Sequence, residues 1–227
     1  MTDGTTESAR DEQSAQQRAE RIRQAASLGA ATLHEAAGRV GALPSGIRCL
    51  TPGLVLAGRA VTVSGPPFDN LWLHRAVYAA GPGDVLVAST GSYYEAGYWG
   101  EVLSNAARAR GLAGLVIDGC ARDSAQLTQV GVPVFGRGFC IRGTSKHADG
   151  EGSINQPLIL GDVVVRPGDL VVGDGDGVVV LPFDRLEDVV DRSLARVRHE
   201  AEIIAALEAG ATTLKLYDLP SGAYSAH

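Results

Sequence analysis

Glu101 and the pair Arg122-Asp123 are separated by twenty intervening residues, with a helix-like segment and an apolar run between them. Brought to one pocket, two carboxylates and a guanidinium could hold a hard divalent ion and an anionic oxo-acid. Carboxylate oxygens suit Mg²⁺ or Mn²⁺, ions that keep waters and accept chelating substrate oxygens, and the rigid guanidinium fork of Arg122 suits a carboxylate or an oxyanion. Gly100 precedes Glu101 at what reads as a helix start, where first-turn amides lack intrahelical acceptors and attract anions. A second reading of the same residues stays open. Glu101 suits a helix N-terminus for dipole reasons alone, and Asp123 could cap the next helix with Arg122 paired to it on the surface.

The elements that must position these residues alternate. Leu54–Val63 reads as a strand, Asn70–Ala80 as a helix stopped by Gly81-Pro-Gly-Asp84, and Val85–Ala88 as a buried strand. The pattern repeats with a helix over Glu101–Arg110, a strand at Leu115–Asp118, a short helix over Asp123–Val130 and a strand at Val132–Phe135. Strands alternating with helices of about ten residues argue for an α/β fold, and loops at the carboxyl ends of its strands are where ligands bind, which places Arg122 and Asp123 suitably. Beyond Arg137 four short β runs at 157–160, 163–165, 170–172 and 178–181 suggest a largely antiparallel β layer. Leu186–Gly210 is an amphipathic final helix whose stripe includes Val189, Val190, Leu194, Val197 and Ile203. Gln17–Gly38 reads as two helices parted by Gly29. Residues 1–17 have almost nothing to bury and read as a disordered leader, 18–219 as a single domain, and 220–227 as a flexible tail.

Composition narrows the function classes. With 227 residues and 45% apolar content the chain can bury a sizeable core. A net charge of -6 offers no electrostatic footprint for nucleic acid or an anionic membrane. No apolar run approaches the roughly 20 residues of a membrane helix, and the polar N-terminus is no secretory signal, so a cytoplasmic location is expected. Cys49, Cys120 and Cys140 are odd in number and widely spaced, which fits reduced, buried thiols.

Further motifs carry a resemblance. Trp99-Gly-Glu-Val-Leu103 and Ala109-Arg-Gly-Leu-Ala-Gly-Leu-Val-Ile-Asp-Gly-Cys-Ala-Arg-Asp123, with Gly58–Val63, Gly131–Phe135, Val165–Leu170, Asp174–Pro182 and Gly210–Tyr217, resemble the signature of the RraA-like family, over about residues 30–219. That family includes class II pyruvate aldolases acting on 4-hydroxy-4-methyl-2-oxoglutarate and 4-carboxy-4-hydroxy-2-oxoadipate. The resemblance implies a layered α-β-β-α domain of the swivelling β/β/α type, with an N-terminal helical extension and a long C-terminal helix. It implies that the amides of Gly100, Glu101, Val102 and Leu103 hold the C1 carboxylate of a 2-oxo acid and that Arg122 binds the C2 oxygen and stabilises a pyruvate enolate. It further implies that Asp123 ligates Mg²⁺ or Mn²⁺, with Glu101 touching it through water. Many aldolase members carry Asp at position 101. A glutamate from a neighbouring subunit's C-terminal helix is implied, with Glu200 the choice and Glu202 the alternate, or a plain solvated face. The expected assembly is a homotrimer or a hexamer.

The expected activity is therefore retro-aldol cleavage of a 4-hydroxy-2-oxo di- or tricarboxylic acid to pyruvate and a second oxo acid, accompanied by oxaloacetate decarboxylation. Lysine count supports a metal over a Schiff base: a Schiff-base aldolase needs a desolvated lysine, and the two lysines, Lys146 and Lys215, stand away from the carboxylate cluster in sequence. Lys146 with His147 could touch a distal substrate carboxylate or lie in a surface loop. His34, His74, His199 and His227 show no ligand spacing and take no role. Asp174-Gly-Asp-Gly177 reads as a tight β turn, not a calcium loop. Gly91–Gly97 could line or cover the pocket, and no nucleotide motif is present. The alternatives are a non-catalytic protein-binding regulator of an RNA-degrading endonuclease and a lyase of the same scaffold with another substrate.

Overall fold

A computed structural model describes residues 4–220 and 222, and only the backbone of residues 4–12 and 14. Its helices are α1 Gly4–Leu28, α2 Ala30–Ala36, α3 Leu71–Ala79, α4 Glu101–Ala109, α5 Ser124–Val130, α6 Leu186–Glu208 and α7 Thr213–Leu216. The strands are β1 Arg48–Cys49, β2 Leu56–Ser64, β3 Asp84–Ser89, β4 Gly97–Trp99, β5 Gly114–Asp118, β6 Cys120–Ala121, β7 Val134–Gly136, β8 Gly138–Phe139, β9 Ser153–Ile154, β10 Leu158–Leu160, β11 Val163–Val165, β12 Leu170–Gly173 and β13 Val178–Leu181.

The centre of the molecule is a parallel sheet in the order β7-β5-β3-β2, with Val61 opposite Leu86, Leu86 opposite Leu115, and Val116 opposite Phe135. Every residue of β5 is buried, as expected of a parallel strand covered on both faces. Antiparallel strands extend the sheet at its ends: β1 beside β7, and β12 then β13 beyond β2. Period-two alternation then separates two cores. Leu86, Leu115 and Ile117 face Leu73 of α3, Leu103 of α4 and Leu127 of α5. Val85, Val116 and Phe135 face Leu158, Leu160 and Val165 of the β10–β11 hairpin on the other side. A third cluster joins Leu170 and Val172 of β12 to Ala25, Leu33, Val189 and Val190 of α1, α2 and α6. The layers are thus hairpin, sheet and helices.

Two sequence expectations change. The segment expected to be a leader is helical from Gly4 onward, because Ala, Glu, Gln and Arg are good helix formers; its described side chains at 15–20 are exposed, and burial begins at Ala25. The C-terminal β runs form no layer of their own. Only β10–β11 is a separate hairpin, while β12 and β13 complete the main sheet. Of the expected flexible tail, only Pro220 and Gly222 fall inside the described residues. Among the described residues no helix is long and apolar enough to cross a membrane.

The feature that builds a site is a break in the parallel strands. β5 passes through Gly119 into β6, and β7 through Arg137 into β8, and β6 lies between β4 and β8 in a small second sheet. A Cβ at Gly119 would stand 2.8 Å from Thr90 Cγ2, so the kink admits no side chain. The small sheet carries β4 straight into α4 and β6 into Arg122.

Candidate active site

β4 is anchored by large buried rings. Trp99 Nε1 donates to Ser104 Oγ at 2.6 Å, tying the strand to the first turn of α4. The Tyr98 hydroxyl donates to the Tyr93 carbonyl at 3.0 Å and accepts from the Phe68 amide at 2.9 Å. Gly100 follows with extended backbone, φ −147°, so space and not conformation demands glycine there. A Cβ would collide with Asp123 Oδ2 and sit 3.1 Å from Arg122 Cγ. Gly97 is under similar pressure from the Cys140 carbonyl and Arg122 Cβ.

Asp123 does not cap α5 through its side chain. Its left-handed backbone, φ 61°, costs a non-glycine residue roughly 1 kcal/mol, and its carboxylate reaches the other helix: the Glu101 amide donates to Asp123 Oδ2 at 3.0 Å. Arg122 is held by its own amide on the Trp99 carbonyl at 2.8 Å, with Nε 3.7 Å from Asp123 Oδ2. Gly100, Glu101, Arg122 and Asp123 therefore meet where α4 begins. Half-exposed Arg122 and Asp123 side chains leave both charges open to a ligand.

A pocket of about 170 Å³ opens beside them, walled by Asn70, His74, Tyr98, Gly100, Arg122 and Lys146 together with Val102 and Leu103. Lys146 is here despite its distance in sequence from the carboxylates. Its loop is stitched to the α3 entrance: the Asn70 amide donates to the Ser145 carbonyl at 3.1 Å, the Ser145 amide to the Phe68 carbonyl at 2.8 Å and the His147 amide to Asp69 Oδ2 at 2.6 Å. Asn70 Nδ2 donates to the Tyr98 carbonyl at 2.9 Å, and Oδ1 is buried with no donor among the described residues. Burial, and then the Lys146 ammonium, hold the His74 imidazole below its ordinary range. Asn70 and His74 went unassigned in the sequence, although their spacing of four, one helical turn, was the available signal.

Other expected residues stand elsewhere in this chain. The Glu101 side chain is exposed and is not among the pocket walls. Glu200 Oε1 accepts from Arg196 Nε at 2.8 Å, Glu202 lies 3.6 Å from His199, and their helix α6 packs on α1 and α2. The 91–97 loop supplies none of the walls. It is pinned behind them, with Tyr94 under the Arg137 guanidinium at 5.1 Å and its hydroxyl 3.4 Å from buried Asp118, which also takes Arg137 Nε at 2.6 Å. Asp174–Gly177 is a tight turn whose Asp174 Oδ2 also accepts the Ala30 amide, at 2.7 Å. The cysteines are free thiols, Cys120 buried and the others half-buried. Among the described residues no three His, Cys, Asp or Glu side chains group into an all-protein metal cage. One half-exposed carboxylate still suits a hard ion such as Mg²⁺, which commonly takes one or two carboxylates and fills its shell with water and substrate oxygens.

A family model described as Aldolase/RraA, of the RraA-like set, matches residues 23–180. This chain belongs to the RraA-like family. The RraA-like fold expected from the motifs is the fold observed. A Halalkalibacterium halodurans protein, provisionally named 4-hydroxy-4-methyl-2-oxoglutarate aldolase, is 38% identical over 151 residues, 66% of this chain and 71% of that one. A crystal structure of an uncharacterised Pseudomonas syringae pv. tomato protein superposes with TM-score 0.73 at 32% identity, covering 85% of this chain and 90% of that one. A Streptomyces coelicolor member of the RNase ES inhibitor RraA protein family superposes with TM-score 0.69 at 28% identity, covering 80% and 94%. RraA-like chains with this architecture thus carry both an aldolase name and an inhibitor name.

Proposed function

We propose that this RraA-like protein is a divalent-metal-dependent lyase that cleaves a 4-hydroxy-2-oxo di- or tricarboxylic acid to pyruvate and a second oxo acid, and decarboxylates oxaloacetate. The observation that carries this reading is the pocket wall itself, where the start of α4, Arg122 and Lys146 surround one small cavity. Cations and a helix N-terminus converging on 170 Å³ suit a small polyanion.

In this reading the amides of Gly100–Leu103 bind the C1 carboxylate. The Arg122 fork stabilises the oxygen on which the enolate charge collects, a developing charge best met by a preorganised donor. Asp123, with Glu101 nearby, would hold Mg²⁺ or Mn²⁺, whose contribution when bound is Lewis-acid polarisation of the 2-oxo group. Lys146 faces the far carboxylate. A trimer, or a hexamer of paired trimers, would bring Glu200 of α6 from a second copy towards the site, since within one chain Glu200 is occupied by Arg196.

A coupled assay for pyruvate from oxaloacetate and from 4-hydroxy-4-methyl-2-oxoglutarate tests the reading. Release with Mg²⁺ that is abolished by EDTA and falls at least ~100-fold in Asp123→Ala is expected, since the variant loses both the ion ligand and the Glu101 amide contact. Absence of activity, or activity indifferent to both changes, would sink it. The likeness to the RNase ES inhibitor family favours one rival, a non-catalytic docking protein; inhibition of such a nuclease without pyruvate release would establish that one.

A further inference from the structure

Cleaving a 4-hydroxy-2-oxo acid needs a group that accepts the C4 hydroxyl proton, and the residues placed so far do not supply it. We infer that His74 is that group. The inference rests on the lyase reading above and adds to it the identity of the base.

The pocket walls leave few candidates. Arg122 stays protonated in proteins and can only donate. Lys146 faces the same cavity as an ammonium, donor in all three positions. The Tyr98 hydroxyl is engaged on both sides, by the Tyr93 carbonyl and the Phe68 amide, and burial pushes its phenol up, away from anion formation. Asp123 is committed to the ion in the lyase reading, and the exposed Glu101 side chain is not among the walls. His74 is half-buried on α3, one turn from Asn70, and its amide donates to the Asn70 carbonyl at 3.2 Å. Arg75, beside it on α3, is turned to the Trp72 ring at 4.6 Å. The charged groups that share the pocket with His74, Lys146 from the 140–152 loop and Arg122 from the end of β6, are both cations, and burial followed by Lys146 disfavours imidazolium. A neutral imidazole has a lone pair to offer. Asn70, one turn before His74, lines the same cavity.

The step balances as follows. His74 takes the C4 hydroxyl proton, the O–H pair becomes the second bond of the new carbonyl at C4, and the C3–C4 pair moves into a C2–C3 double bond. The C2 oxygen is left anionic beside Arg122. The imidazolium then protonates C3, giving pyruvate and restoring neutral His74. Oxaloacetate has no C4 hydroxyl. Its C4 carboxylate leaves as CO₂ without a base, and solvent protonates C3.

That difference supplies the test. In full-length His74→Asn and His74→Gln, cleavage of 4-hydroxy-4-methyl-2-oxoglutarate should lose at least ~100-fold in kcat, the scale of one general base, while oxaloacetate decarboxylation should fall far less, and a thermal melt matching the wild type would show the variants folded. Methyl-proton exchange of pyruvate in D₂O, which needs the same base in reverse, should fall with cleavage. In the wild type the cleavage kcat/KM should drop as pH falls through a value below the usual 6.5 or so of histidine, and that limb should vanish in the variants. Equal losses in both reactions would reduce His74 to a structural part, and a raised KM with unchanged kcat would make it a carboxylate ligand; either overturns the inference and leaves the lyase reading standing. A wild type that releases no pyruvate from either compound, and exchanges no proton, sinks both.

Discussion

At the scale of single residues, the site depends on atoms that leave no room. A methyl group at Gly100 would collide with Asp123 Oδ2, and the helix start, which lies against Arg122 as well, cannot retreat. Gly100→Ala should therefore lower pyruvate release at least tenfold with little change in unfolding midpoint, because the carboxylate is half exposed and can swing away; steady-state rates beside a thermal melt would check it. Arg137→Ala should act in the opposite sense. It strands the buried Asp118 carboxylate and frees Tyr94, so it should cost about 3 kcal/mol in urea unfolding. Residual activity in the folded fraction should remain measurable, since neither Asp118 nor Arg137 is a pocket wall.

At the scale of elements, the break of β5 and β7 at Gly119 and Arg137 sets the chemistry apart from the scaffold. The main sheet is closed by helices on one face and a hairpin on the other, while the small β4-β6-β8 sheet carries the site. Stability and function should separate accordingly. Leu33 of α2 is fully buried and locks α1, α2 and α6 to β12 and β13. Leu33→Ala should cost about 3 kcal/mol, read by denaturant unfolding, and leave KM of the folded protein unchanged. The ion pairs of Arg21 with Glu187 and Asp191, exposed on the carboxylate side, contribute little beside that packing.

At the scale of the molecule, this one chain keeps Glu200 on Arg196 and leaves Val102, Phe139 and Ile141, near the site in sequence, exposed. If the active species is a trimer or hexamer, sedimentation should show it at working concentrations, and Glu200→Ala should reduce pyruvate release without changing the sedimentation coefficient. The amino-acid sequence alone determined the alternation of strands and helices, the break at Gly29, the helix start at Gly100 and the closeness of Arg122 to Asp123, because apolar periodicity, glycine and turn chemistry act over a few residues. It misjudged the N-terminal segment, where helix propensity outweighed the lack of buried side chains, and it read the late β runs as a separate layer because strand pairing is not local. Only the tertiary structure decided that Asp123 reaches α4 and does not cap α5, that Lys146 lines the same pocket as Arg122, and that Asn70 and His74 share it. Those contacts join residues that sequence distance keeps apart, and they exist because the 143–147 loop pairs with the α3 entrance.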